Sequence, residues 1–301
     1  MGADAIKMNL HVGGLTAGAE DLVVYMAANR AGLRRAGFGL FCFDPAGHGP
    51  QAFAQALPDP VTDAAGLDAA AAALAARLAP DLRAATTGMV LSIADLAGPA
   101  SDLILGRFHP QARQRARLVR KALGQGVDRL VLAVQPYEEI FHATWMRLAM
   151  DRAIEPFADY APVLAEFHGG WADLGAALIE ELELRELCVI AAPMGAPDML
   201  DHIVPGLHLR QPVRPIAAPR ITPGAVAMAQ RCIAQGTRLQ PGQRDRLVAF
   251  HARQPQVSPA LGFSALALAD LRGRYVADLD ALAERAGVTM VGARELALAA
   301  E

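Results

Sequence analysis

A chain of 301 residues that is 53% hydrophobic and 20% charged has apolar material for a sizeable core, which excludes a disordered polypeptide. Its formal net charge of −3 lacks the basic excess of a general nucleic-acid binder. No apolar run approaches the length of a membrane span.

Apolar runs alternate with helical periodicity, the signature of βαβ units and a parallel sheet. The first strand covers Ile6 to Val12 and ends in Gly13-Gly14-Leu15-Thr16-Ala17-Gly18. A helix follows from about Glu20 to Arg35. Glu20 and Asp21 sit in its first turn, where the helix dipole favours acids, and Gly37 stops it. The second strand, Gly39 to Phe43, runs into the loop Asp44 to Pro50. An Ala-rich helix spans about Ala64 to Leu78 and ends at Pro80. The third strand, Gly88 to Ile93, leads into Ala94-Asp95. A helix from Gln111 to Leu123 carries Arg113, Arg115, Arg117, Arg120 and Lys121. The fourth strand, Arg129 to Val134, ends at Gln135-Pro136 and precedes helices from Tyr137 to Met150 and from Trp171 to Leu184. The fifth strand is Leu187 to Ala192.

Beyond it, Pro205 to Pro223 holds five prolines and reads as an irregular segment over the surface. Helices return at Gly224 to Ile233 and Asp270 to Arg285. The expectation is one domain over residues 1–301. Residues 1–195 form an α/β core with a P-loop-type parallel sheet flanked by helices. Residues 196–301 form an irregular and helical C-terminal cover.

In an open parallel sheet, ligands bind beyond the carboxyl ends of the strands. Gly13 and Gly18 are five apart between a strand and a helix, the spacing of a loop that cradles phosphate on backbone N–H groups. The lysine of such a loop is missing: Ala19 follows Gly18, and Glu20 stands where Ser or Thr would hold magnesium. A tight turn without a ligand is the alternative. His48, after the second strand, is a candidate general base, with an exposed loop histidine as the alternative. Asp95, after the third, is a second catalytic candidate, with capping of the next turn as the alternative. His11 reads as a packing residue and Trp145 as core, while His142 has no evident partner. No HxxxH, CxxC or acidic cluster argues for a metal.

Cys42, Cys188 and Cys232 are far apart and odd in number, which supports no disulfide framework. Met1 to Val12 lacks a signal-peptide pattern, so a cytoplasmic location is expected. Lys7 and Lys121 are the only lysines among 28 basic residues, a composition expected of a GC-rich bacterial genome.

The run from His11 to Leu22, continued by Ala27-Ala28-Asn29-Arg30-Ala31-Gly32-Leu33, resembles the opening of bacterial sulfotransferase-family proteins. That opening reads H-I-G-x-x-K-T-G-T-T-S-L-Q and continues into A-A-N-R-x-x-L. Further matches keep the family order. Leu91 to Leu96 is similar to L-S-S-E-D-L, and Gln135-Pro136-Tyr137-Glu138-Glu139 to R-P-Y-E-D. Trp171 to Leu174 and Arg274 to Leu279 also fit. The resemblance implies a P-loop sulfotransferase fold and 3′-phosphoadenosine 5′-phosphosulfate (PAPS) as sulfuryl donor. It also implies a nucleotide site at Gly13, Gly14, Leu15, Thr16, Ala17, Gly18, Ala19, Gln135 and Ala143.

The departures fall on those positions. The family's phosphate-loop Lys aligns with Thr16, and its 3′-phosphate Arg with Gln135. The companion Ser of that Arg aligns with Ala143, and the acid after strand three with Ala94. A charge-assisted hydrogen bond contributes about 1.5–3 kcal/mol, so losing the Lys and the Arg weakens binding by roughly 10² to 10⁴. The expected function is therefore that of a sulfotransferase-family protein with a degenerate PAPS site, binding PAPS weakly or not at all. The alternative is an active PAPS-dependent enzyme that sulfates a glycan or small-molecule hydroxyl through substituted anion contacts. Arg113, Arg115, Arg117, Arg120, Arg272 and Arg274 are the candidate substitutes. Expected partners are an anionic nucleotide or sulfate and an acceptor, glycan or small molecule.

Overall fold

Among the described residues, six strands form one all-parallel sheet. They are β1 (Lys7–Val12), β2 (Phe38–Phe41), β3 (Gly88–Ser92), β4 (Arg129–Ala133), β5 (Glu186–Ile190) and β6 (Val288–Val291), in the order β2-β3-β1-β4-β5-β6. The computed structural model describes residues 6–13, 19–42, 64–93, 96–215, 219–256 and 261–292. Gly14, Leu15, Thr16, Ala17, Gly18, His48, Ala94 and Asp95 lie outside the described residues.

Every connection between consecutive strands carries helices. Between β1 and β2 the chain forms α1 (Ala19–Ala28) and α2 (Arg30–Arg35), and α3 (Ala64–Ala84) leads into β3. Helices α4 (Ala100–Ile104) and α5 (Ala112–Leu123) connect β3 to β4. Helices α6 (Tyr137–Ala149), α7 (Phe157–Ala165) and α8 (Trp171–Glu181) connect β4 to β5. Helices α9 (Ala196–Ile203), α10 (Pro223–Ala234), α11 (Pro241–His251) and α12 (Ala265–Ala283) precede β6. Right-handed crossovers put the β1-to-β2 connection, which runs one way along the sheet, on one face and those running the other way on the opposite face.

The buried side chains obey this division except at α9, which belongs to the β5-to-β6 connection yet packs on the face of α1. Met8, Leu10 and Val12 pack in one core with Leu74 and Leu78 of α3, Val119 of α5 and Leu178 of α8. Leu40, Val90, Val131 and Ile190 pack in the other with Leu22 and Met26 of α1, Leu33 of α2 and Ile203 of α9. Side-chain alternation on each strand thus feeds two helical layers, and each strand reads as a near-continuous apolar run.

Several elements depart from the expectation, and α4, α7, α9 and α11 are helices that the sequence pattern does not place. The helix expected over 20–35 breaks at Asn29, whose Nδ2 donates to Tyr25 O and to Val213 O, both at 2.8 Å. The Val213 N–H donates back to Asn29 Oδ1 at 2.8 Å, so this side chain anchors the proline-rich segment. Helix α3 continues through Pro80 to Ala84, because Leu78 and Leu82 on its last turns still pack into the core. Val288–Val291 adds a sixth strand beside β5, where the sequence pattern predicts only helices. Among the described residues no helix is long and apolar enough to cross a membrane.

Gly39 of β2 sits directly under α3. A Cβ there would lie 2.5 Å from Asp81 O and 2.6 Å from Met89 Sδ. Gly39→Ala should therefore lower the unfolding free energy by about 1–3 kcal/mol in urea, the range for overpacking. An unchanged midpoint would show that the helix-to-strand contact is looser.

Candidate functional site

The strand order reverses direction beside β1: its chain leaves toward β2, whereas that of neighbouring β4 leaves toward β5. Beyond the carboxyl ends of such a pair lies the crevice in which open α/β sheets bind ligands. Gly13 closes β1 with φ at 141°, and a Cβ there would lie 3.3 Å from Ala133 Cβ. Glycine lets the chain leaving β1 lean on the end of β4, two residues before Gln135. Ala19 opens α1 from the same edge.

Just inside this edge, His11 Nδ1 and Ser92 Oγ are 3.0 Å apart across β1 and β3. Both residues are buried, and burial pushes the His11 imidazole down to about 4, so it is neutral at pH 7. Its Nε2 has no partner among the described residues.

On the β4 side, Trp171 Nε1 donates to Gln135 O at 3.0 Å, while Gln135 Nε2 is buried without a partner among the described residues. Pro136 starts α6 and puts Glu138 and Glu139 in its first turn. Glu138 is buried: one oxygen accepts from Arg272 Nε at 2.9 Å and the other has no partner among the described residues. Glu139 is held above the usual carboxylate range by burial and by Glu138, against the pull of Arg272.

Tyr137 OH donates to Asp278 of α12. The Trp171 N–H, first in α8, lies 2.8 Å from both Tyr137 Oη and Asp278 Oδ2. A carboxylate from α12 and a phenol from α6 thus satisfy the N-terminus of α8. Burial and Asp278 raise the Tyr137 pKa. Burial and the Glu139 and Glu138 charges raise that of Tyr275, whose hydroxyl has no partner among the described residues. Ala143 is half-buried on α6. The adjacent hydroxyl, Thr144, is fully buried and donates to Ile140 O at 2.6 Å, so it does not supply the missing serine.

The candidate substitute cations all have protein partners. Arg113 pairs with Glu180 at 2.5 Å, Arg117 with Glu181 at 2.9 Å and Arg120 with Glu183 at 2.7 Å. Arg115 is buried, its Nε donating to Leu96 O at 2.9 Å. Arg272 holds Glu138. Arg274 donates to Phe167 O at 3.0 Å and Gly169 O at 3.1 Å, with its guanidinium 3.7 Å from the Phe167 ring centroid. The described part of the edge does not fit PAPS, because a 3′-phosphate beside Gln135 would meet a neutral amide backed by two carboxylates. Among the described residues no group of three or more His, Cys, Asp or Glu side chains is placed to hold a metal.

Of the residues expected to form the nucleotide site, the structure brings Gly13 near the β4 end that carries Gln135, and places Ala143 two turns along α6 from it. Trp171, Tyr275 and Asp278 fall in segments similar to the family pattern, but their local sequence assigns them no role. Their convergence on Tyr137 comes from packing of three distant helices. Compared with family models, with curated proteins and with solved structures, the chain matches none.

A second histidine, His109, is half-buried and also pushed down to about 4, chiefly by burial and then by Arg115. The ordinary value of 6.5 for both His11 and His109 makes the unfolded chain the better proton acceptor. These two groups' stability contribution is therefore present well above pH 6.5 and is lost as pH falls through 6.5 toward 4, each at up to about 1.4 kcal/mol per pH unit, with His142, also lowered by burial, acting in the same direction. Denaturation titrations between pH 7 and 4.5 should show this fall, and His11→Gln should reduce its slope by about 1.4 kcal/mol per pH unit. An identical slope in the variant would mean that His11 is protonated in the folded chain.

Proposed function

We propose that this protein is sulfotransferase-like in fold, that its donor-nucleotide cradle has lost its phosphate grip, and that it does not transfer sulfuryl groups from PAPS. One observation carries the reading: Arg272 and Arg274, the cations of α12 nearest in sequence to the Tyr275 and Asp278 network, are both engaged, Arg272 on buried Glu138 and Arg274 on Phe167 and Gly169. Sulfuryl transfer, like phosphoryl transfer, depends on positioning and on charge stabilisation rather than on covalent help from the protein. An edge that offers Gln135 in place of a cation, with Glu138 and Glu139 behind it, supplies neither the grip nor the stabilisation. What survives is a scaffold: a parallel sheet, a glycine that closes β1 against β4, and a helix that starts at the same edge.

Calorimetric titration with adenosine 3′,5′-bisphosphate tests this directly. No heat of binding is expected at millimolar nucleotide. The double substitution Thr16→Lys with Gln135→Arg should raise affinity by roughly 10² to 10⁴. Micromolar binding by the unaltered chain would overturn the reading and favour an active sulfotransferase acting on a glycan or small-molecule hydroxyl.

A further inference from the structure

At the opposite end of the sheet, by the amino ends of the strands, lies an open cavity of about 990 Å³. Strand alternation explains its floor. Met8, Leu10 and Val12 fill one core, so Lys7 and Asn9 lie on the other face with Phe38 and Val131. Register puts Phe38, Gly88 and Lys7 in one cross-strand row and Asn9, Arg129 and Glu186 in the next. Gly88 contributes no side chain. A Cβ there would lie 2.8 Å from the Phe38 ring, which therefore lies close against β3. The chain leaving α9 from Val204 to His208 supplies another wall.

Among the described residues the charges around this cavity cancel, with one exception. Arg129 pairs with Glu186 at 2.6 Å and donates to His202 O at 3.2 Å. Arg185 pairs with Asp128 at 3.0 Å, and Asp128 also accepts the Met8 N–H at 2.8 Å. Lys121, the second lysine, is paired with Asp68. Lys7 is exposed and has no carboxylate partner among the described residues. Beside it, Asn9 is buried, and its Nδ2 makes a single 3.4 Å contact to Met89 O, beyond the usual hydrogen-bond range. The floor thus holds an uncompensated cation and an amide donor with capacity to spare, next to an aromatic ring and the apolar Val204 and Leu207.

We propose that this cavity binds a small monoanion with a flat apolar body. The anionic head lies on Lys7 Nζ and Asn9 Nδ2, and the body lies against Phe38, Val204 and Leu207. The volume falls in the range of small-molecule sites. A polyanion is disfavoured because Asp128 and Glu186 line the same cavity as Lys7, and a neutral molecule would leave Lys7 unanswered. This site is separate from the carboxyl edge and does not rest on the reading given for it.

Fluorescence titration of the full chain with 8-anilinonaphthalene-1-sulfonate, alongside its uncharged counterpart N-phenyl-1-naphthylamine, tests the assignment. Saturable one-to-one binding of the sulfonate is expected. Lys7→Gln should weaken it about tenfold, the loss expected for one charge-assisted contact, and Lys7→Glu should weaken it further. Gln135→Leu, at the far edge, should leave it unchanged, and the uncharged dye should be indifferent to both Lys7 substitutions. Absence of saturable binding, sulfonate affinity unaffected by Lys7→Glu, equal loss of both dyes, or sensitivity to Gln135→Leu would each overturn the proposal. Lys7 is exposed, so unchanged circular-dichroism melting of its variants is expected and keeps the comparison one of binding alone.

Discussion

The pairing of Arg272 with the buried Glu138 carboxylate decides what the β4 end of the sheet offers to a ligand. An anion that recruited Arg272 would strand Glu138, and an unpaired buried charge costs up to about 3–5 kcal/mol. The cost is smaller here because the Arg272 side chain is 67% exposed and partly screened by solvent. Arg274 is bound differently but as firmly, by two carbonyls and by the face of the Phe167 ring. A cation that is satisfied within the protein binds an anion only by giving something up, and along this edge each candidate arginine would have to do so.

The same internal satisfaction organises the neighbouring elements. Asp278 joins α12 to α6 and α8 through one oxygen, and Phe108, Phe167 and Trp171 pack around the Tyr137 ring. This aromatic cluster fixes the turn after β4, on which Gln135 stands. Opposite it, the His11 and Ser92 pair lies inside the layer covered by α1. The carboxyl edge is thus framed by groups that answer one another. At the amino edge the arithmetic of charge leaves Lys7 unanswered, which is why a ligand is assigned to that end.

Much of the fold is legible in the sequence because the first five strands are apolar runs bounded by Gly, Pro and polar turns, alternating with helical periodicity. The departures have physical causes. Asn29 breaks a helix that its neighbours favour, because its partners Tyr25 and Val213 lie on both sides of it in space, Val213 being 184 residues away in sequence. β6 is four residues long and only half-buried at the sheet margin, so Val288 to Val291 carries too little apolar signal to separate it from a helix tail. Pro80 marks a helix end by local rules, yet core packing carries α3 one turn further. At the candidate site, the spacing of Gly13 and Gly18 and the neutral residues at 16 and 135 are visible in sequence. The engagement of Arg272 and Arg274 is not, because their partners are more than 100 residues away.

Along the described carboxyl edge Arg272 and Arg274 are already held by the protein, and the proposed loss of nucleotide binding rests on that. A crystal of the chain soaked in adenosine 3′,5′-bisphosphate tests it most directly. The expected result is no nucleotide beyond the ends of β1 and β4, with Arg272 still on Glu138. A nucleotide seated there, its 3′-phosphate held by Arg272 or Arg274 beside Gln135, would contradict it.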